Sequence, residues 1–161
     1  MYRDISVKHV IHSLQTPYDA FISQFESHLG RHDISAYRNL LGDPSRAKEV
    51  EAVLQRQEGT NGLMLFTSYD HGALLSIKGA PRKARQYMVG NPLYAARMTQ
   101  HDIRAALYAP LRVLVYAEDS GRTRVEYDLP STLFGQFRND KVNEVALELD
   151  LKLSDLVQKS A

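Results

Sequence analysis

The chain contains no cysteine, which excludes disulfides, thiolate nucleophiles and cysteine-ligated zinc or iron–sulfur centres. It also lacks any apolar run approaching the ~18 to 20 residues that cross a bilayer, and Met1-Tyr2-Arg3-Asp4 has none of the apolar character of a secretory signal. The expectation is a soluble, cytoplasmic protein with no membrane association. An excess of one charge is missing too: 20 Lys and Arg against 19 Asp and Glu leave a formal net charge of +1. That is too little for a long-range field steering the chain onto nucleic acid or anionic lipid. There is no internal repeat, linker or low-complexity tract. What is present is core material: 161 residues, 43% of them hydrophobic, fit a single domain over 1–161.

Local pattern separates strands from helices. Ile5 to His12 mixes β-branched and polar residues in rough alternation and predicts a half-buried strand, with a break in period at Val10-Ile11. Thr16 offers an N-cap oxygen and Pro17 tolerates the first helical position; Phe21, Phe25 and Leu29 then recur every four residues until Gly30. Asp43-Pro44 is a second start signal, followed by Ala47, Val50 and Leu54 on one stripe, so about 31–60 reads as a helical insertion. Leu63 to Phe66 predicts a short buried strand ending near Asp70-His71, and Gln86 to Val89 one that leads into Gly90-Asn91-Pro92. Leu111, Val113 and Val115, then Thr123, Val125 and Tyr127, alternate with polar or bulky neighbours around the turn cluster Glu118-Asp119-Ser120-Gly121. That pattern predicts an antiparallel hairpin. Val142, Val145, Leu149, Leu153 and Leu156 form one apolar stripe from about Asn139 onward, while Leu147 and Leu151 fall off it and leave apolar surface for a second contact.

In order and spacing, Asp70-His71, the strand Tyr87-Met88-Val89 into Gly90-Asn91-Pro92, the Leu111 to Tyr127 hairpin and Pro130 resemble the bacterial domain-of-unknown-function family numbered 302. The resemblance covers most of the chain. It implies a small α+β domain with an antiparallel sheet packed by helices, and a tendency to pair as a homodimer; it implies no reaction. Its recurring positions fall here on Asp70, His71, Gly90, Asn91, Pro92, Leu111, Tyr116, Tyr127 and Pro130.

Histidine titrates near neutrality and ligates metals, so His9, His12, His28, His32, His71 and His101 are the first residues to weigh. His9 and His12, three apart on a strand, point to opposite faces and share no metal; His28 and His32 have helical ligand spacing, but Gly30 interrupts it. No metal site is expected. His71 sits at a strand end beside Asp70, where it is a candidate general acid or base if a partner arrives from elsewhere, or else part of a turn. Gly90-Asn91-Pro92 lacks the spacing of a phosphate loop and reads first as a turn in which Gly90 or Asn91 takes positive φ, with the Asn91 amide a possible ligand contact. Arg82, Lys83, Arg85, Arg97 and Arg104 interleave with Tyr87, Tyr94 and Tyr108, a mixture suited to an anionic small molecule; no nucleic-acid-binding signature accompanies it. No Gly-x-Ser-x-Gly elbow is present.

The leading expectation is a noncatalytic module that binds a small molecule or a protein, with a site drawn from Asp70, His71, Tyr87, Asn91 and Arg97. The alternative is a small-substrate enzyme with His71 as acid/base and an anion held by Arg82 or Arg97; haem or metal binding through a lone histidine comes third. The sequence specifies no cofactor.

Overall fold

Alternation along the strands sorts one side of a six-stranded sheet into a core and leaves most of the other bare. A computed structural model describes residues 1–161. Strands β1 (His9–Leu14), β2 (Gly30–Arg31), β3 (Met64–Tyr69), β4 (Ala84–Gly90), β5 (Leu111–Ala117) and β6 (Thr123–Asp128) lie in the order β1-β6-β5-β4-β3-β2. Every pairing is antiparallel except β2 with β3, which is parallel. The fold is therefore α+β, with a mostly antiparallel sheet packed by helices.

The first helix, α1 (Tyr18–His28), buries Phe21 and Phe25. Thr16 does not cap it: its carbonyl accepts the Thr123 hydroxyl at 2.7 Å, and the cap position is Pro17, with no side-chain bond. The last helix, α6 (Asp140–Ser160), starts on Asn139, whose side chain accepts the N–H of Lys141 and Val142. Its whole expected stripe, Val142 to Leu156, is buried, and Leu147 and Leu151 are 51% and 74% exposed. Each fully buried aliphatic side chain contributes about 1.5–3 kcal/mol of transfer free energy, so this stripe is a major anchor of the helix. It meets Tyr87, Val89, Val113, Val115 and Val125 in one core.

Two expectations shift. The first strand runs His9–Leu14 rather than Ile5–His12, because His9 is paired with Asp128, the last residue of β6. Beyond Asp128 the partner turns away: the Lys8 carbonyl still accepts the Leu129 N–H at 2.8 Å, but Pro130 then opens α5 (Pro130–Phe134) and the ladder goes no further. The stretch expected to be a helical insertion contains β2, three short 3₁₀ turns and one helix, α2 (Ala47–Gln57). The Asp43 carboxylate accepts the Ser45 N–H at 2.9 Å and starts the 3₁₀ turn that runs into α2. This insertion packs Tyr37 and Leu54 onto Met64, a second small core at the β3 edge.

Two further short helices complete the chain, α3 (His71–Leu74) and α4 (Pro92–Thr99). No α-helix crosses the side of the sheet that carries Ile11, Met88, Arg112, Leu114 and Glu126, and these residues are exposed or half-buried. No helix is long and apolar enough to cross a membrane.

Candidate functional site

Asp70 ends β3 and its carboxylate is spent locally. One oxygen accepts the Ala73 N–H at 2.7 Å and caps α3, and the other takes the Arg85 guanidinium at 3.3 Å. The Ala73 N–H, with Arg85 adding to it, holds the Asp70 carboxyl below the usual carboxylate range. Arg85 continues to Glu26 at 3.2 Å, and the fully buried Tyr87 donates its hydroxyl to the same Glu26 oxygen at 2.8 Å. Burial, reinforced by that carboxylate, pushes the Tyr87 hydroxyl pKa strongly upward. His71 stands outside this network. Its ring is exposed, makes no hydrogen bond, and has Tyr69 as ring neighbour at 6.4 Å. Between Asp70 and the strand beneath, Gly72 approaches so closely that a Cβ there would lie 2.0 Å from the Arg82 carbonyl oxygen.

Asn91 and Arg97 lie at the other end of β4, roughly 20 Å away at about 3.4 Å per residue. The five expected site residues therefore fall into two separate places. Asn91 is 4% exposed; its side-chain oxygen accepts the Leu93 N–H at 2.8 Å, and its amide donates to Glu58 at 2.7 Å and to the Gly62 carbonyl at 2.8 Å. Neither Gly90 nor Asn91 takes positive φ; Asn91 is extended at −150° and caps α4. Arg97 grips Glu148 through both carboxylate oxygens, at 2.9 and 2.6 Å, and lies over the Tyr94 ring.

The other histidines are dispersed. His32 stacks on Phe66 with ring centres 4.1 Å apart and meets the Tyr37 hydroxyl at 2.7 Å; His12 meets the Tyr127 hydroxyl at 3.4 Å. Burial pushes both imidazole pKa values down. No three His, Asp or Glu side chains come together as a metal site would need.

The uncovered sheet side carries a polar chain that sequence reading passes over. Tyr116 donates its hydroxyl to Glu126 at 2.7 Å, and Glu126 and Asp128 bracket the His9 ring at 3.0 and 2.9 Å. Acceptance of the ring N–H groups by Asp128, then by Glu126, raises the His9 pKa, while hydrogen bonds donated by Tyr116 and His9 lower that of Glu126. Alternation in β6 places Glu126 and Asp128 on the polar side, but nothing local announces that β1 will lie beside them.

Asp128 also borders a cavity of about 430 Å³ walled by Met88, Leu107, Tyr108 and Leu133, with Arg112 at its edge. Two other hollows compare unfavourably as ligand sites. An apolar cavity at Gly90 and Phe134 has only about 90 Å³. A groove of about 580 Å³ between α2 and α4 is larger, yet its Asp43 is committed to Ser45 and its Tyr37 hydroxyl to His32, leaving the exposed Glu51. The cavity at Asp128 combines ligand-sized volume with unengaged polar groups: the Arg112 guanidinium, the Tyr108 hydroxyl and one Asp128 oxygen.

Comparison with other proteins agrees with this architecture. A solved structure described as an uncharacterized conserved DUF302 protein from Bacillus stearothermophilus superposes with a TM-score of 0.65 at 18% identity, covering 95% of this chain and 98% of that one. At that identity the likeness speaks for the fold. No curated protein sequence matches the chain. The model of the family described as a domain of unknown function, DUF302, matches residues 44–160, from the start of the 3₁₀ turn before α2 to the end of α6. The chain belongs to the DUF302 family.

Proposed function

We propose that the protein is a noncatalytic small-molecule-binding module whose ligand occupies the cavity on the uncovered side of the sheet, at the Leu111 and Asp128 ends of β5 and β6. One observation carries this reading: Arg112, a cation without an internal partner, shares the lining of a cavity of about 430 Å³ with apolar Met88, Leu107 and Leu133. Sites for small molecules combine mainly apolar lining with a few polar groups that orient the ligand. Acid/base catalysis at His71 has less behind it, since the exposed ring has no hydrogen-bonded partner and Asp70 is engaged by Ala73 and Arg85.

A thermal-shift screen of wild type and Arg112→Gln tests the reading. A ligand at about 100 times its Kd stabilises by about 2.7 kcal/mol, a rise of roughly 5–10 °C for a chain of this size. Hits should shift wild type and lose most of the shift in Arg112→Gln. No hit in a broad screen, or equal shifts in both proteins, counts against it.

Self-association is proposed on a different surface, the Leu147 and Leu151 stripe of α6, where two exposed leucines four apart face outward. Light scattering at micromolar concentration should give a dimer mass that Leu151→Arg reduces to a monomer. A monomer mass for wild type would remove this proposal.

A further inference from the structure

The cavity's polar groups carry both signs of charge. The β5–β6 ladder runs from Ala117 and Thr123 to Leu114 and Glu126 and stops there; Arg112 and Asp128, each two residues beyond its end, both line the cavity. Opposite charges that line one hollow attract one another. Here Arg112 makes no ion pair, while Asp128 gives one oxygen to His9 Nδ1 at 2.9 Å and keeps the other free. A cation and an anion thus line one largely apolar hollow, each with unused bonding capacity.

Resting on the binding-module reading above, we infer that the ligand is a small zwitterion with an apolar side chain, of the amino-acid type. Its carboxylate takes the paired N–H donors of Arg112, a geometry the guanidinium fork matches. Its ammonium donates to the free Asp128 oxygen, and its side chain lies against Met88, Leu107 and Leu133. A simple carboxylate would satisfy Arg112 but meet the like charge of Asp128. A simple amine would meet Arg112. A neutral molecule would desolvate both charges and pair neither, which costs affinity. The zwitterion alone satisfies both, and specificity follows because each lesser analogue leaves one charge of the site unpaired beside the bound ligand.

Calorimetric titration of the folded protein with leucine, 4-methylpentanoate and 3-methylbutylamine at pH 7 tests this, because the three share one apolar skeleton and differ in charged ends. Leucine should bind at least tenfold more tightly than either analogue. Arg112→Gln should lower leucine affinity at least tenfold, with Arg112→Lys retaining part of it, and Asp128→Asn should remove the advantage of leucine over 4-methylpentanoate. Asp128→Asn also alters the contact with His9, so His9→Gln is measured beside it and should keep the preference for leucine. Equal or tighter binding of either analogue, lost in Arg112→Gln, overturns the zwitterion while leaving the binding module standing. Absence of leucine binding overturns the zwitterion, and absence of any ligand in the thermal-shift screen overturns the module itself.

Discussion

His9 Nδ1 lies 2.9 Å from Asp128 Oδ1, across 119 residues of sequence, and the register sets these two residues directly opposite each other in β1 and β6. The contact ties an edge strand to the sheet beside the proposed ligand cavity, which Asp128 lines. It links the stability of the N-terminal strand to the protonation of one ring.

The Asp128 and Glu126 carboxylates raise the His9 pKa above its ordinary 6.5. The native state therefore binds this proton more tightly than the unfolded chain. The contribution is fully present below about pH 6.5 and is lost as pH rises through the folded value. His12 and His32 act in the opposite sense: burial lowers their pKa, so stability they protect at neutral pH falls as pH drops below 6.5. Global unfolding would mix these effects, and an NMR titration of each ring separates them. His9 should titrate above 6.5 and move down in Asp128→Asn, whereas His12 and His32 should titrate below 6.5. A His9 midpoint at or below 6.5 would show that the carboxylates do not hold the ring.

Asp70 and His71 should separate cleanly in urea unfolding. Asp70→Ala removes the cap on α3 and the contact with Arg85, and should cost about 0.5–2 kcal/mol. Asp70→Asn, which keeps the capping oxygen, should recover most of it. His71→Ala, an exposed ring without a hydrogen bond, should stay within about 0.5 kcal/mol of wild type. Equal losses at both positions would contradict the geometry.

Much of the architecture is legible in local pattern because one-sided burial leaves a periodic trace. Val142 to Leu156 repeats at helical spacing, and the alternations either side of Glu118 to Gly121 specify a hairpin, whose turn closes with Gly121 at φ 82°. The start of β1 is not legible, since it is set by where β6 stops, more than a hundred residues later. The polar chain of His9 and Tyr116 around Glu126 is hidden for the same reason: its members meet only after β1 has docked on β6. Asn91 shows the converse. Its surroundings in sequence read as a turn whose amide is open to a ligand, but that amide is consumed by Glu58 and Gly62, brought in by the end of the insertion and the turn before β3.

Asn91→Asp is a sharp probe of that assignment. The substitution keeps an oxygen to cap α4 but replaces the amide donor with a carboxylate facing Glu58, where the present N···O distance is 2.7 Å. It should destabilise by about 1–3 kcal/mol at pH 7, and the loss should shrink as pH falls toward the carboxyl range, where one of the two groups takes up a proton. Chemical denaturation at pH 7 and pH 4.5 checks this; an unchanged midpoint at pH 7 would mean that the amide is not engaged.

Tyr87→Phe should cost about 1.5–3 kcal/mol, because it removes the hydroxyl that satisfies the Glu26 carboxylate at 2.8 Å while preserving the ring in the core. Near-ultraviolet circular dichroism should stay native-like, and urea unfolding should show the loss. A neutral result would indicate that Arg85 alone suffices for Glu26.

Chemical-shift mapping of isotope-labelled protein against a small-molecule fragment library locates the ligand on the fold. Bound fragments should perturb the amides of Met88, Arg112, Asp128 and Leu133, and Arg112→Gln should abolish those perturbations. Shifts confined to the groove at Val50, Leu54 and Leu93, or to the Asp70 and His71 corner, would contradict that location.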